Sequence, residues 1–213
     1  MLELQGGACE GVAAFVCGVR VVLDHSCQVQ RHSLAERRND LYETPTVAVE
    51  ALLRVGKLPH RLWEPACGRG AIVRPLRAAG HEVLASDLVD YGDPTHFYER
   101  DFLSEKLPIG CEGIVTNPPY KLAEQFAAHA IAICPLVVML MRLAFFESER
   151  RRDVLENCGL ARIHCFRKRL PMMRRADWVG RKGNSGMAFA WFVWDRSHVG
   201  PTVIDRISWE TML

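Results

Sequence analysis

The sequence predicts a doubly wound α/β sheet, and three observations lead there. From His60 onward, short apolar runs alternate with longer amphipathic or charged ones, the strand-helix rhythm of a wound sheet. The run Leu136 to Met141 is apolar at every position, as a strand buried on both faces must be. The glycine-bearing stretch Pro65 to Gly70 lies directly between a strand-like and a helix-like segment. With 213 residues, the chain is long enough for one domain with a substantial core and too short for two ordinary ones.

Taken in order, residues 1–37 read as an N-terminal extension, glycine-bearing and valine-rich from Val12 to Leu23, either strand-like or poorly ordered and without a legible function. Residues 38–213 read as one domain. Thr44-Pro45 suggests an N-cap followed by proline at the first helical position, opening a helix that stops at Gly56. Arg61 to Glu64 reads as a strand, Ala71 to Ala79 as a helix closed by Gly80, and Glu82 to Ala85 as a strand ending at Ser86-Asp87. Arg100 to Leu103 is expected to be a short strand, Gly113 to Thr116 a buried one, and Lys121 to Ile133 a helix. After Leu136 to Met141 come a charged helix, Glu147 to Asn157, and two strands, Ala161 to Phe166 and Met187 to Trp194.

Composition excludes several classes. An apolar content of 49% with 24% charged residues is globular, not disordered or collagen-like. Eight cysteines without a Cys-x-x-Cys pair favour free thiols in a reducing compartment. Cys9, Cys17, Cys27, His25 and His32 match no standard zinc spacing, so no metal is expected. The longest apolar run, Ala130 to Met141, is too short to span a bilayer, which predicts a soluble, cytoplasmic protein with no membrane partner. Oligomeric state is not legible.

Two stretches carry chemistry. In Glu64-Pro65-Ala66-Cys67-Gly68-Arg69-Gly70, the glycines allow a ligand close to the backbone, and the helix beyond offers unpaired N–H groups. Asp87 ends the next strand, 23 positions after Glu64, a placement suited to a ribose diol. Position 73 is valine where a dinucleotide fingerprint needs glycine, and no Gly-Lys-Ser/Thr sequence follows. NAD and a Walker-type phosphate loop are thereby disfavoured, and S-adenosylmethionine is the common ribose-bearing cofactor that remains. The second stretch, Asn117-Pro118-Pro119-Tyr120, puts a side-chain amide, two conformationally locked residues and an aromatic face at a strand end. Two acceptors beside a flat ring fit a planar base bearing an NH₂ group.

Tyr42 to Pro45, Glu64 to Gly70, Asp87, Asp101-Phe102 and Asn117 to Tyr120, in that order, resemble the successive motifs of class I amino-methyltransferases of nucleic acids, of the DNA adenine-N6 type. With its arginine-rich tail and Gly186 to Trp194, the chain is similar to small methyltransferases of bacteriophage and prophage genomes over about residues 38–205. The resemblance implies a mostly parallel, Rossmann-like sheet of seven strands, the last antiparallel, with helices on both faces. It also implies a cofactor site for S-adenosylmethionine made of Tyr42, Thr44, Pro45, Glu64, Ala66, Gly68, Gly70, Asp87, Asp101 and Phe102. Asp87 would take the ribose, Asp101 with Phe102 the adenine, and Asn117, Pro118, Pro119 and Tyr120 the target base.

Residues 150–182 hold eleven lysines and arginines against three acids, in a chain whose net charge is only +2. Arg167, Lys168, Arg169, Arg174, Arg175, Arg181 and Lys182, with Trp178 as a stacking side chain, make the basic segment 167–186 a candidate nucleic-acid surface. Arg150 to Arg152 read equally well as a solvated helix face. The expected substrate is an exocyclic amine in a nucleic acid, with DNA favoured. An RNA base, a protein glutamine, and an inactive nucleic-acid-binding protein of the same fold are the alternatives.

Overall fold

Parallel pairing of two short strands, Arg61–Glu64 and Gly113–Thr116, forms the centre of the sheet. The computed structural model describes residues 14–16, 19–21, 42–171 and 186–210. In chain order the strands are β1 (Ala14–Val16), β2 (Val19–Val21), β3 (Arg61–Glu64), β4 (Glu82–Ala85), β5 (Gly113–Thr116), β6 (Leu136–Arg142), β7 (Leu160–Phe166), β8 (Phe189–Asp195) and β9 (Val203–Ile207). The helices are α1 (Thr46–Val55), α2 (Val73–Ala78), α3 (Ala123–Ile133) and α4 (Arg152–Glu156). β1 and β2 pair antiparallel with each other.

The other strands make one seven-stranded sheet in the order β4-β3-β5-β6-β8-β7-β9. All run parallel except β8, which is antiparallel to both β6 and β7. This is the expected doubly wound, mostly parallel sheet. One strand differs from expectation: Arg100 to Leu103 is not a strand but leads into a 3₁₀ turn, Phe102–Ser104, where the Leu103 N–H donates to the Asp101 side chain. The seventh strand is β9 instead, and it pairs parallel with β7, so the antiparallel strand is β8, last but one in the chain and not the last as expected. The five residues of β9 bury only Ile207 well, so apolar patterning hardly marks it, and backbone pairing to β7 creates it.

Both faces of the sheet are covered. Val137, Met139 and Met141 of β6 pack with Phe126, Ala127 and Ala130 of α3 and Leu155 of α4. Val138 and Leu140, pointing the other way, pack with Ala48 and Leu52 of α1 and Leu76 of α2. The unbroken apolar run of β6 thus feeds two cores by strict alternation.

α1 starts later than Thr44-Pro45 suggests. Pro45 occupies the N-cap position, and the Thr44 hydroxyl caps nothing because it accepts from Asn117 Nδ2 at 3.1 Å. Helix formation beyond Glu147 is also shorter than expected. A 3₁₀ turn over Glu149–Arg151 precedes α4, while Arg150 and Arg151 turn back to pair with Glu124 at 3.1 and 3.6 Å. α1 is anchored to the far side of the sheet by Trp191, fully buried in β8, whose Nε1–H donates to Ala48 O at 2.9 Å.

Replacing Trp191 with Phe removes that bond and leaves a void in a close-packed layer. The expected loss is about 1–3 kcal/mol, read as a lower urea midpoint at unchanged m-value. A midpoint equal to wild type would show that α1 does not depend on this contact.

Candidate active site

The order of the strands creates the site. From β3 the chain winds outward to β4, then returns across β3 to β5 and continues the other way. At such a reversal the loops beyond two neighbouring strands diverge and leave a crevice at their carboxyl ends. Here the neighbours are β3, ending in Glu64, and β5, ending in Thr116 and followed by Asn117. A cavity of about 320 Å³ fills the crevice, within the size range of small-molecule sites. It is lined by Tyr42, Thr44, Glu64, Ala66, Asp87, Asp101, Phe102 and the whole of Asn117 to Tyr120, among others. Residues 75 positions apart, Tyr42 and Asn117, meet at one wall.

Asn117 is oriented by two acceptors. Its Nδ2 donates to Tyr42 O at 3.2 Å and to Thr44 Oγ1 at 3.1 Å. Since a carbonyl can only accept, the amide nitrogen must face Tyr42, and the oxygen is on the other arm of the planar amide. Tyr120, at the start of a 3₁₀ turn, packs its ring against Tyr42 at 5.1 Å and Phe189 at 6.1 Å between centroids.

The opposite part of the cavity is acidic. Glu64 is only 2% exposed, and its Oε2 has no hydrogen-bond partner among the described residues. Burial, reinforced by the nearby Asp87 carboxylate, holds its carboxyl well above the usual range; a bond from the Val73 N–H and the charge of Arg74 oppose this by less. Asp87 is raised by burial too, against the pull of backbone N–H groups of Val89, Gly68 and Leu88. Its Oδ2 accepts from Gly68 N at 2.8 Å and its Oδ1 from Val89 N at 3.0 Å. The acid at the end of β4 therefore braces the glycine turn at the end of β3.

Gly68 and Gly70 are not among the residues lining the cavity. Gly68 presents its N–H to Asp87, at φ 52°. Gly70, at φ 76°, must lack a side chain because a Cβ would stand 2.9 Å from the His96 ring. His96 in turn touches Cys67, Nδ1 to Sγ at 3.5 Å, and burial keeps its imidazole below the usual pKa. The Cys67 thiol is pushed far upward by burial and by the Glu64 and Asp87 carboxylates, so it stays protonated and unreactive at the cavity wall. Pro45, an expected cofactor neighbour, is not a lining residue either; it closes the helix start just beyond Thr44.

Phe102 is buried with Trp63, Phe126 and His129 around it, at 5.2, 4.8 and 4.9 Å between centroids. Asp101 Oδ1 accepts from Leu103 N at 3.2 Å, which aims the carboxyl at the cavity rim.

Two residues that back the Tyr120 ring without lining the cavity themselves were not singled out by sequence reasoning. Arg142 ends β6 and Phe189 begins β8, and they are cross-strand partners. The Arg142 guanidinium carbon stands 4.1 Å from the centre of the Tyr120 ring, while its Nε is buried with no acceptor among the described residues. A cation on an aromatic face gains about 0.5–2 kcal/mol, and a buried donor left unmatched costs about 1–3 kcal/mol. The two nearly cancel, so the guanidinium rests on the ring at little net advantage. A charged residue closing an otherwise apolar strand run was the signal that could have found it.

Of the expected basic surface, Arg167, Lys168 and Arg169 are exposed directly after β7. Because β7 runs parallel to β6, they lie at the same end of the sheet as the cavity. Lys168 pairs with Glu210 at 2.6 Å, and Arg169 Nη1 donates to Gly186 O at 3.3 Å. Arg174, Arg175, Trp178, Arg181 and Lys182 lie outside the described residues. Arg150, Arg151 and Arg152 are engaged with Glu124, Glu149 and Glu156. Among the described residues no helix is long and apolar enough to cross a membrane, and no group of three or more His, Cys, Asp or Glu could hold a metal ion.

No protein-family model and no curated protein matches the sequence. Solved structures do match. A Pyrococcus horikoshii protein assigned as an RNA methyltransferase superposes with a TM-score of 0.56 at 13% identity, over 75% of this chain and 88% of that one. The modification subunit assigned to a type I restriction enzyme of Vibrio vulnificus gives 0.54 at 14% identity, over 77% of this chain and 46% of its own. A protein of Listeria monocytogenes assigned as a class I S-adenosylmethionine-dependent methyltransferase gives 0.53 at 13% identity, over 79% and 66%. The chain shares their Rossmann-like fold.

The raised Glu64 carboxyl has a consequence for stability. The folded state holds the proton to higher pH than the unfolded chain, whose glutamate titrates at roughly 4.3. Stability is thus greatest at low pH within this window and is lost as pH rises through the folded value. Asp87 acts in the same direction. Urea unfolding from about pH 5 to about pH 8 should show a falling midpoint, and Glu64→Gln should remove much of that fall. A variant with the wild-type pH slope would contradict the assignment.

Proposed function

We propose that this chain transfers a methyl group from S-adenosylmethionine to the exocyclic amine of a nucleic-acid base, foremost N6 of adenine in DNA. The observation that carries the reading is the shared cavity, lined both by an oriented asparagine amide at the end of β5 and by the buried Glu64 and half-buried Asp87 at the ends of β3 and β4. The solved structures of the same fold that are assigned as methyltransferases support it.

The residues present fit the cofactor. Glu64 has a buried oxygen in need of a donor, which a ribose hydroxyl or an ammonium group supplies. Asp87 keeps acceptor capacity beyond its bonds from backbone N–H groups, Asp101 offers a carboxyl at the rim, and Phe102 and Ala66 offer apolar surface for a purine. Bound there, S-adenosylmethionine supplies an electrophilic methyl group on sulfur.

Activation of the acceptor is the task of the chain itself. An amine on an aromatic ring is a poor nucleophile because its lone pair is delocalised into the ring. Asn117 Oδ1 and the Pro118 carbonyl, each accepting one N–H, draw the nitrogen towards tetrahedral geometry and aim the lone pair into the cavity. Pro118 is buried and Pro119 follows it, so the backbone carrying that carbonyl is stiff. Tyr120 supplies the face on which an extruded base stacks. After transfer the surplus proton leaves to water. The inert state of Cys67 keeps a competing nucleophile out of the same cavity.

Purified protein incubated with labelled cofactor and duplex DNA, single-stranded DNA or RNA, followed by mass spectrometry of the nucleosides, tests the proposal. N6-methyladenine from DNA is the expected product. Methyl on RNA alone would move the substrate, and methyl on no base in any arm would sink the reading. Asn117→Ala should lower transfer by about 10²–10³-fold. Its loss of contact with Tyr42 and Thr44 should cost cofactor affinity much less, as measured by calorimetry. Equal loss of both would place Asn117 on the cofactor side.

A further inference from the structure

We infer that Arg142 is a substrate-binding residue, which leaves the Tyr120 ring for a phosphate of the target strand when a base stacks in the clamp. The inference rests on the base-clamp reading of Asn117 to Tyr120. In the structure, Arg142 and Phe189 face each other across the β6–β8 pair, and both reach Tyr120. The guanidinium, itself flat and cationic, covers a face of the ring at 4.1 Å. A planar base that stacks on that face needs the same space, so stacking displaces the side chain.

The displaced group has no hydrogen-bonding partner among the described residues. Arg142 is half-buried, yet its side chain makes no hydrogen bond or ion pair among the described residues, and its Nε is shut off from water. Arg151, the comparable half-buried arginine, also has a buried Nε without a hydrogen bond among the described residues, but besides stacking on Phe145 it bonds Phe145 O and pairs with Glu124. Glu124, near the start of α3, is already shared by Arg150 and Arg151 and does not compete for Arg142.

Chemistry selects the phosphate over the base edge as the new partner. Methyl transfer places positive charge on the base nitrogen, so a bare guanidinium held beside the clamp opposes the reaction. An anionic acceptor both neutralises that charge and satisfies the Nε–H. The nucleotide whose base takes the ring face brings such a group with it. Arg167 to Arg169, exposed at the same end of the sheet, continue the positive surface along which a strand would run.

The test is the salt dependence of binding, measured by fluorescence anisotropy of a labelled adenine-containing single-stranded oligonucleotide with S-adenosylhomocysteine present. Each phosphate contact contributes about 0.7 to the slope of log Kd against log salt for a single strand. Arg142→Gln and Arg142→Met remove the charge while keeping an unbranched side chain beside Tyr120, and each should lower the slope by about that amount. Arg142→Lys should restore it. Calorimetric affinity for S-adenosylhomocysteine and the thermal melting curve report whether each variant is folded. A wild-type slope in whichever neutral variant folds would overturn the inference and leave Arg142 as a support for Tyr120 alone. A wild-type chain that binds the strand but methylates no base would sink the function proposed above, while Arg142 would still be judged by the slope. A wild-type chain that binds no strand would overturn both.

Discussion

The parallel register of β3 and β5, Leu62 opposite Gly113 and Trp63 opposite Ile114, is the constraint on which the remaining structure depends. It puts the carboxyl ends of two strands side by side while sending their loops in opposite directions. One loop carries the glycine turn after Glu64, and the other carries the asparagine and prolines after Thr116. A slip of one residue would exchange the faces to which each side chain points. Slippage is resisted because both strands are buried on both sides, between α1 and α2 on one face and α3 and α4 on the other.

Asn117 joins a segment to this frame that the sheet itself does not contain. Residues Tyr42 to Thr44 precede α1 and belong to no strand. They reach the cavity because the Asn117 amide binds a carbonyl and a hydroxyl there, and because Trp191 pins α1 to β8. The same amide therefore has a structural end and a chemical end. Glu64 and Asp87 show the complementary economy: a buried carboxyl and a half-buried one stand near each other, at a cost to stability that a ligand with donors or positive charge can offset.

The positive residues divide into two kinds by their environment. Arg150, Arg151 and Arg152 are engaged by neighbouring acids and by Phe145, which explains them within the fold. Arg167 to Arg169 and Arg142 are placed at the carboxyl end of the sheet, the first group exposed and the last set against the clamp. Lys168 is paired with Glu210, but an exposed pair is worth only about 0–1 kcal/mol, so it gives way readily to a stronger anion.

The wound sheet, the six strands from β3 to β8 and the two stretches that line the cavity were legible in the chain, because unbroken apolar runs and turn residues report burial and backbone geometry locally. Tertiary structure alone decided the rest. Thr44 has the look of a helix cap, yet a side chain 73 residues away takes its hydroxyl. Arg100 to Leu103 reads as a short strand, yet Asp101 caps a 3₁₀ turn there. β9 exists through pairing with β7, not through its own pattern. Gly70 suggests room for a ligand, whereas the neighbour that requires the missing side chain is His96. Arg142 ends an apolar run, and only the β6–β8 register brings it to Tyr120. Local sequence encodes propensity and burial; which distant group satisfies a given polar atom depends on strand order and register, which no single stretch contains.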